Sequence, residues 1–125
     1  MKIAGIVAAL AATGVFAQEA PGVNDFTTIA APHVVLRGLD TLSGNTRDLE
    51  LEVGETIRFG HLEIAVEACR VPQNEPESDA YAFLRIRDVR EDHLRFEGWM
   101  FASSPALSAL DHPRYDVWVA SCSSR

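Results

Sequence analysis

Lysine is almost missing from this chain. Of its 11 basic residues one is Lys2 and the rest are arginines, set against 18 acidic residues, for a formal net charge of −7. A surface with that balance repels polyanions, so neither nucleic acid nor an anionic membrane surface is expected as a partner. Cysteine occurs only twice, at Cys69 and Cys122, with no C-x-x-C. That spacing argues against a redox dithiol and against a cysteine-rich metal site. The four histidines, His33, His61, His93 and His112, are scattered with no pair at i, i+2 or i, i+4. Local pairs usually announce zinc, so no metal and no cofactor is expected. No G-x-S-x-G is present, and no apolar run approaches the roughly 20 residues of a spanning helix.

The longest apolar run lies at the start. "MKIAGIVAALAATGVFAQEAPG" has one positive residue, Lys2, then weakly apolar residues from Ile3 to Phe16, with Val15 and Ala17 fitting a signal-peptidase site. The pattern is that of a secretory signal peptide, residues 1–17, cut after Ala17. A mature chain from Gln18 would keep every acidic residue and lose Lys2, taking the charge to −8. It would hold no transmembrane segment, and export would take it to an oxidising compartment. In an oxidising compartment an isolated cysteine pair is most simply a disulfide, Cys69–Cys122. The loop so closed, about 54 residues, would be worth roughly 4 kcal/mol in the chain-entropy model.

Residues 18–32, "QEAPGVNDFTTIAAP", lack periodicity and read as a flexible lead-in. From 33 to 125 the period is two. "HVVLRGLD" (33–40), "TRDLELEV" (46–53), "TIRFG" (56–60), "HLEIAVEAC" (61–69), "YAFLRIRDV" (81–89), "LRFEGWMF" (94–101) and "RYDVWVASC" (114–122) read as strands. Leu49 and Leu51 face one side of their strand, as do Leu62, Ile64 and Val66 of theirs. Cys69 is out of phase with its strand's inward face, which requires a bulge or a strand that has already ended. Leu94, Phe96 and Met100 are expected on one face. A register that joins them to Leu84 and Ile86 puts Glu97 opposite Arg85 or Arg87.

Residues 70–79 read as a loop. Only "SSPALSAL" breaks the alternation. Ser104 before Pro105 fits an N-cap followed by proline at the first helical position, giving a helix of about two turns over 104–110. Seven strands and one short helix before the last strand make a mainly β single domain, an antiparallel sandwich or small barrel.

The chemistry-bearing residues crowd into "GWMFASSPALSALDHPRYDVWVASC", residues 98–122. Trp99 and Phe101 are out of phase with Phe96 and Met100, so they face away from the main core. The segment 104–110 is expected to cover them. Contact with a partner would then fall on the outer surface from Trp99 to Tyr115, with Trp99, Phe101, His112, Tyr115 and Trp118 as the candidate binding residues. A small hydrolase using Ser104 and His112 is an alternative, but capping explains Ser104 and a turn explains Asp111-His112-Pro113. The carboxylates fall on wet faces and in loops, without the burial a glycosidase needs. No catalytic residue is therefore assigned. The leading expectation is a non-enzymatic binding domain for a protein or an envelope polymer.

The succession "VVLRGLD", "VGETIRFG-HLEIAVEAC" and "GWMFASSPALSALDHPRYDVWVASC" resembles a family of small exported alphaproteobacterial proteins, domain of unknown function 2155. The likeness covers residues 33 to 122. It implies an exported, periplasmic protein and carries no catalytic assignment. Genes of the proteins it resembles often neighbour one for an accessory subunit of respiratory complex I. The resemblance thereby implies, as an alternative, an accessory or assembly factor for a membrane complex.

Overall fold

The computed structural model describes residues 27–125, together with Gly5. The signal-peptide reading and residues 18–26 of the lead-in therefore lie outside the described residues. Eight strands run β1 Thr28–Ala30, β2 His33–Asp40, β3 Asn45–Glu52, β4 Thr56–Phe59, β5 Leu62–Pro72, β6 Tyr81–Asp88, β7 Leu94–Phe101 and β8 Tyr115–Ser123. Two antiparallel sheets result. The larger has the order β1-β5-β6-β7, with β4 also paired to β5, and the smaller has the order β3-β2-β8. The fold is mainly β and sandwich-like rather than a closed barrel.

The alternation seen in the sequence sets the faces. Val34, Leu36, Leu62, Ile64, Leu84 and Ile86 are wholly buried between the sheets, and Val117 and Val119 of β8 close the core. Each wholly buried leucine or isoleucine is worth about 2–5 kcal/mol against truncation to alanine. Their polar neighbours point outward and pair across strands.

Three bulges change the phase, and one of them, in β8, makes Ala120 the extra residue against β2 and turns Cys122 inward. In β5 the register with β6 shifts between Val66 and Ala68, so Glu67 is the extra residue. The shift turns Cys69 and Val71 inward, both buried, and resolves the out-of-phase cysteine. In β7 the register with β6 shifts between Ile86 and Arg87. Phe96 stays opposite Ile86 and Glu97 opposite Arg85, as the apolar pattern requires. Leu94 does not stay with them: the bulge sets it opposite Arg87 and leaves it 41% exposed.

Three further differences have physical causes. The lead-in is not loose throughout, because Thr28–Ala30 pair with Arg70–Pro72 and Ala31 is buried. That pairing extends β5 three residues beyond Cys69, to Pro72. The expected two-turn helix is a single 3₁₀ turn, Pro105–Leu107. Ser104 makes no side-chain cap; its carbonyl accepts from the Leu107 amide at 3.1 Å, and Ser108 is already extended. The chain must stretch from there to bring His112 to its buried partner, and that tertiary demand overrides the local helical pattern.

Cys69 of β5 and Cys122 of β8 form a disulfide with Cα atoms 6.1 Å apart. It joins the two sheets, one residue from each, near the ends of both strands.

Candidate functional site

The outer face of the large sheet carries the aromatic residues. Tyr81 and Phe83 of β6 alternate with buried Ala82 and Leu84, so they project outward. Across the strand pair, Tyr81 lies opposite Phe101 and Phe83 opposite Trp99. Both pairs meet edge to face, with ring centroids 5.8 and 5.5 Å apart. Such pairs contribute roughly 0.5–1.5 kcal/mol beyond area burial. They make a four-ring platform in which Trp99 stays 36% exposed.

Charged residues border the platform along the same face. Arg85 bonds Glu67 at 2.7 Å and Glu97 at 3.3 Å, and Arg87 meets Glu63 at 3.3 Å. At the other border sits Asp79. Its Oδ1 accepts from the Ala80 and Ser103 amides at 2.8 and 2.9 Å, and its Oδ2 accepts from the Ser103 hydroxyl at 2.6 Å. Burial pushes the Asp79 carboxyl up, but the bonds from Ser103, Ala80 and the Tyr81 hydroxyl outweigh it and hold it below the usual carboxylate range. Tyr81 is pushed up by burial first and then by the Asp79 charge. The loop before β6 is thereby tied to the segment after β7, and Tyr81 is fixed in place.

A second polar group is interior. Asp88, at the end of β6, is completely buried. Its Oδ1 accepts from the Arg90 Nε and from the Arg90 amide, both at 2.9 Å; its Oδ2 accepts from the Arg90 Nη2 at 2.7 Å and meets His112 Nε2 at 3.0 Å. The Arg90 side chain first, then its amide, hold the Asp88 carboxyl far below the usual range. His112 Nδ1 accepts from the Arg114 and Tyr115 amides at 3.0 and 3.2 Å. With Nδ1 an acceptor, the ring proton sits on Nε2 and is donated to Asp88. Tyr115 is buried beside it, its hydroxyl accepting from the His61 amide at 3.3 Å. Gly60, at φ +58°, lies against that hydroxyl, where a Cβ would collide with it.

The five expected binding residues are thus divided. Trp99 and Phe101 share the outer face of the large sheet. Trp118 lies opposite Arg37 on the outer face of the small sheet. Tyr115 is buried, and the His112 side chain is 1% exposed. The segment 104–110 does not lid the Trp99 face; Pro105, Ala106 and Ala109 border a shallow hollow with Trp118 instead. Neither ring nitrogen of His112 bonds a serine hydroxyl: one holds Asp88 and the other two backbone amides. The sequence reading passed over Tyr81, Phe83 and Asp88. Phase alone places both rings outward, because they alternate with Ala82 and Leu84. No local signal marks Asp88, whose partner is 24 residues away. Among the described residues no three His, Cys, Asp or Glu side chains are grouped to hold a metal, and no helix is long and apolar enough to cross a membrane.

The structure defines a small, disulfide-linked antiparallel β-sandwich with an aromatic outer face. Residues 34–122 match the family described as "Uncharacterized protein conserved in bacteria (DUF2155)", and the chain belongs to that family. It is 29% identical over 87 residues to "Uncharacterized protein RP359" of Rickettsia prowazekii (strain Madrid E), an alignment covering 67% of this chain. The aligned part is 56% of the length of that relative. No solved structure matches the chain.

Proposed function

We propose that this protein is a non-enzymatic binding domain of the bacterial periplasm that takes up a glycan polymer of the cell envelope on the outer face of β6 and β7. The observation that carries the reading is the pair of cross-strand aromatic contacts, Tyr81–Phe101 and Phe83–Trp99, held outward with Trp99 exposed. A monomeric domain gains nothing in its core from four rings on the wet side of a sheet, and exposed aromatics of this kind mark binding surfaces. Ring faces suit the C–H faces of sugars. Arg85, Glu67 and Glu97 at the border supply donors and acceptors for hydroxyl groups. The export pattern at the N-terminus and the inter-sheet disulfide support the compartment.

The test is co-sedimentation with isolated peptidoglycan sacculi, run beside affinity capture from detergent-solubilised envelope, for the native protein and Trp99→Ala. The reading expects native protein in the sacculus pellet and at least a tenfold weaker association for Trp99→Ala. Capture of a discrete set of membrane-complex subunits, with no sedimentation, would favour an accessory or assembly factor instead.

A further inference from the structure

Sheet edges expose unpaired backbone donors and acceptors, and proteins normally guard them. Four edge strands here are guarded in ordinary ways. β1 and β4 are only 3 and 4 residues long. β3 carries Arg47, Asp48, Glu50 and Glu52 within eight residues, and β7 carries Arg95 and Glu97. β8 carries a bulge at Ala120, where its register with β2 shifts, but it is 9 residues long, pairs only with β2 and holds a single charge, Asp116. Its first half is flanked by Pro105, Ala106 and Ala109, which border Asp116, Val117 and Trp118. Its second half, Ala120–Ser123, forms instead one side of an open groove of about 410 Å³. The facing wall is the loop before β6, Pro76 to Ala80, with Ala102 and Ser103.

We infer that this groove receives an extended, basic segment of a partner protein, which pairs with the free edge of β8 as an additional strand. Past the bulge the regular edge, Ser121–Ser123, is three residues at about 3.3 Å each, about 10 Å, and accommodates a short extended peptide. Charge selects the occupant. The described groove lining includes Glu77 and Asp79 and no cation, and exposed Glu75 stands beside it. Asp79 is engaged by Ser103, which leaves Glu77 as the groove carboxylate open to an incoming chain, with exposed Glu75 in the adjoining hollow. A second copy of this chain would bring the same acidic rim against itself and is disfavoured. The inference does not depend on the aromatic face of β6 and β7, which belongs to the other sheet.

The test uses the full chain and four synthetic octapeptides: alternating Lys and Val, alternating Glu and Val, and two forms of the Lys–Val peptide, N-methylated at its odd or at its even backbone nitrogens. Binding is read by fluorescence anisotropy and by amide hydrogen exchange of the protein. The Lys–Val peptide should bind, slow exchange at residues 120–123, and lose about tenfold in affinity in one of its two N-methylated forms, the one lacking the ladder donors. The Glu–Val peptide should not bind. Glu75→Gln with Glu77→Gln, both in an exposed loop, should weaken the Lys–Val peptide several-fold, and Trp99→Ala should not. Absence of binding, unchanged exchange at 120–123, equal affinity of both N-methylated forms, or loss of binding in Trp99→Ala would each overturn the inference.

Discussion

His112 Nε2 lies 3.0 Å from Asp88 Oδ2 in a fully buried contact that bridges the end of β6 and the entry to β8. It closes a chain of bonds that runs from Arg90 through Asp88 and the imidazole to the Arg114 and Tyr115 amides. Every buried side-chain nitrogen and oxygen among the described residues has a partner. Both nitrogens of His112 are therefore committed to holding the 102–114 connection against the core.

His112→Ala should accordingly act on stability. It strips a partner from Asp88 and leaves two backbone amides without an acceptor in a dry site. Orphaning buried polar groups costs about 1–3 kcal/mol each, so a total near 3 kcal/mol is expected. Thermal unfolding should show a midpoint lowered by about 10 °C or more. A variant with native Tm would show the network to be dispensable.

The carboxylates give a pH signature. Asp88 and Asp79 are both held below the usual range in the folded protein, Asp88 by Arg90 and Asp79 by Ser103, Ala80 and Tyr81 against its burial. Folded-state values below the unfolded ones stabilise the protein above the ordinary carboxylate range, about pH 4, and that stabilisation disappears as pH falls through the lower folded values. The Tm should therefore be level from about pH 5 upward and drop progressively below about pH 4. Asp88→Asn should lower the Tm at pH 7 and flatten the acid limb. A steeper acid limb in Asp88→Asn would contradict the assignment.

The inter-sheet disulfide sets a third expectation. Bridging Cys69 and Cys122, 53 positions apart, should contribute roughly 4 kcal/mol. Reduction, or Cys69→Ser, should remove a large part of a total stability of about 5–15 kcal/mol. Titration of native protein with a thiol reagent should find no reactive thiol, and denaturant unfolding should show the midpoint fall on reduction. Two reactive thiols in the native protein would refute the bridge.

Gly60→Ala tests the turn between β4 and β5. The position has positive φ, and a Cβ there runs into the Tyr115 hydroxyl. A loss of about 1–3 kcal/mol is expected in chemical denaturation. Gly44→Ala, at a positive-φ turn with open space around it, should cost less.

Most of the architecture was legible in the sequence because a period of two survives wherever one face is wet. The β6–β7 register followed from it: Glu97 could be placed near Arg85 because Phe96 had to stay with Ile86. Bulges are the limit of that logic. The one at Glu67 could be suspected from an out-of-phase cysteine, but the one at Arg95 left no trace in the pattern. The helix was overestimated because the Ser104-Pro105 signal is local, whereas what ends the turn is the distant anchor of His112 on Asp88. The candidate site divided for a related reason. Nearness in sequence gathered Trp99, His112, Tyr115 and Trp118, although successive strand residues point to opposite faces. Tyr81 and Phe83, the true neighbours of Phe101 and Trp99, come from a strand more than a dozen residues earlier.

The most direct measurement of the proposed role is the emission of Trp99 itself. In Trp118→Phe, Trp99 is the single tryptophan, and its indole is partly exposed. Titration of that protein with soluble glycan fragments released from peptidoglycan should give a saturable change in emission, abolished or weakened at least tenfold by Phe83→Ala, which removes the ring that supports it. Saturable binding detected by calorimetry with Trp99 emission unchanged, or no binding at all, would contradict the aromatic face of β6 and β7 as the contact surface.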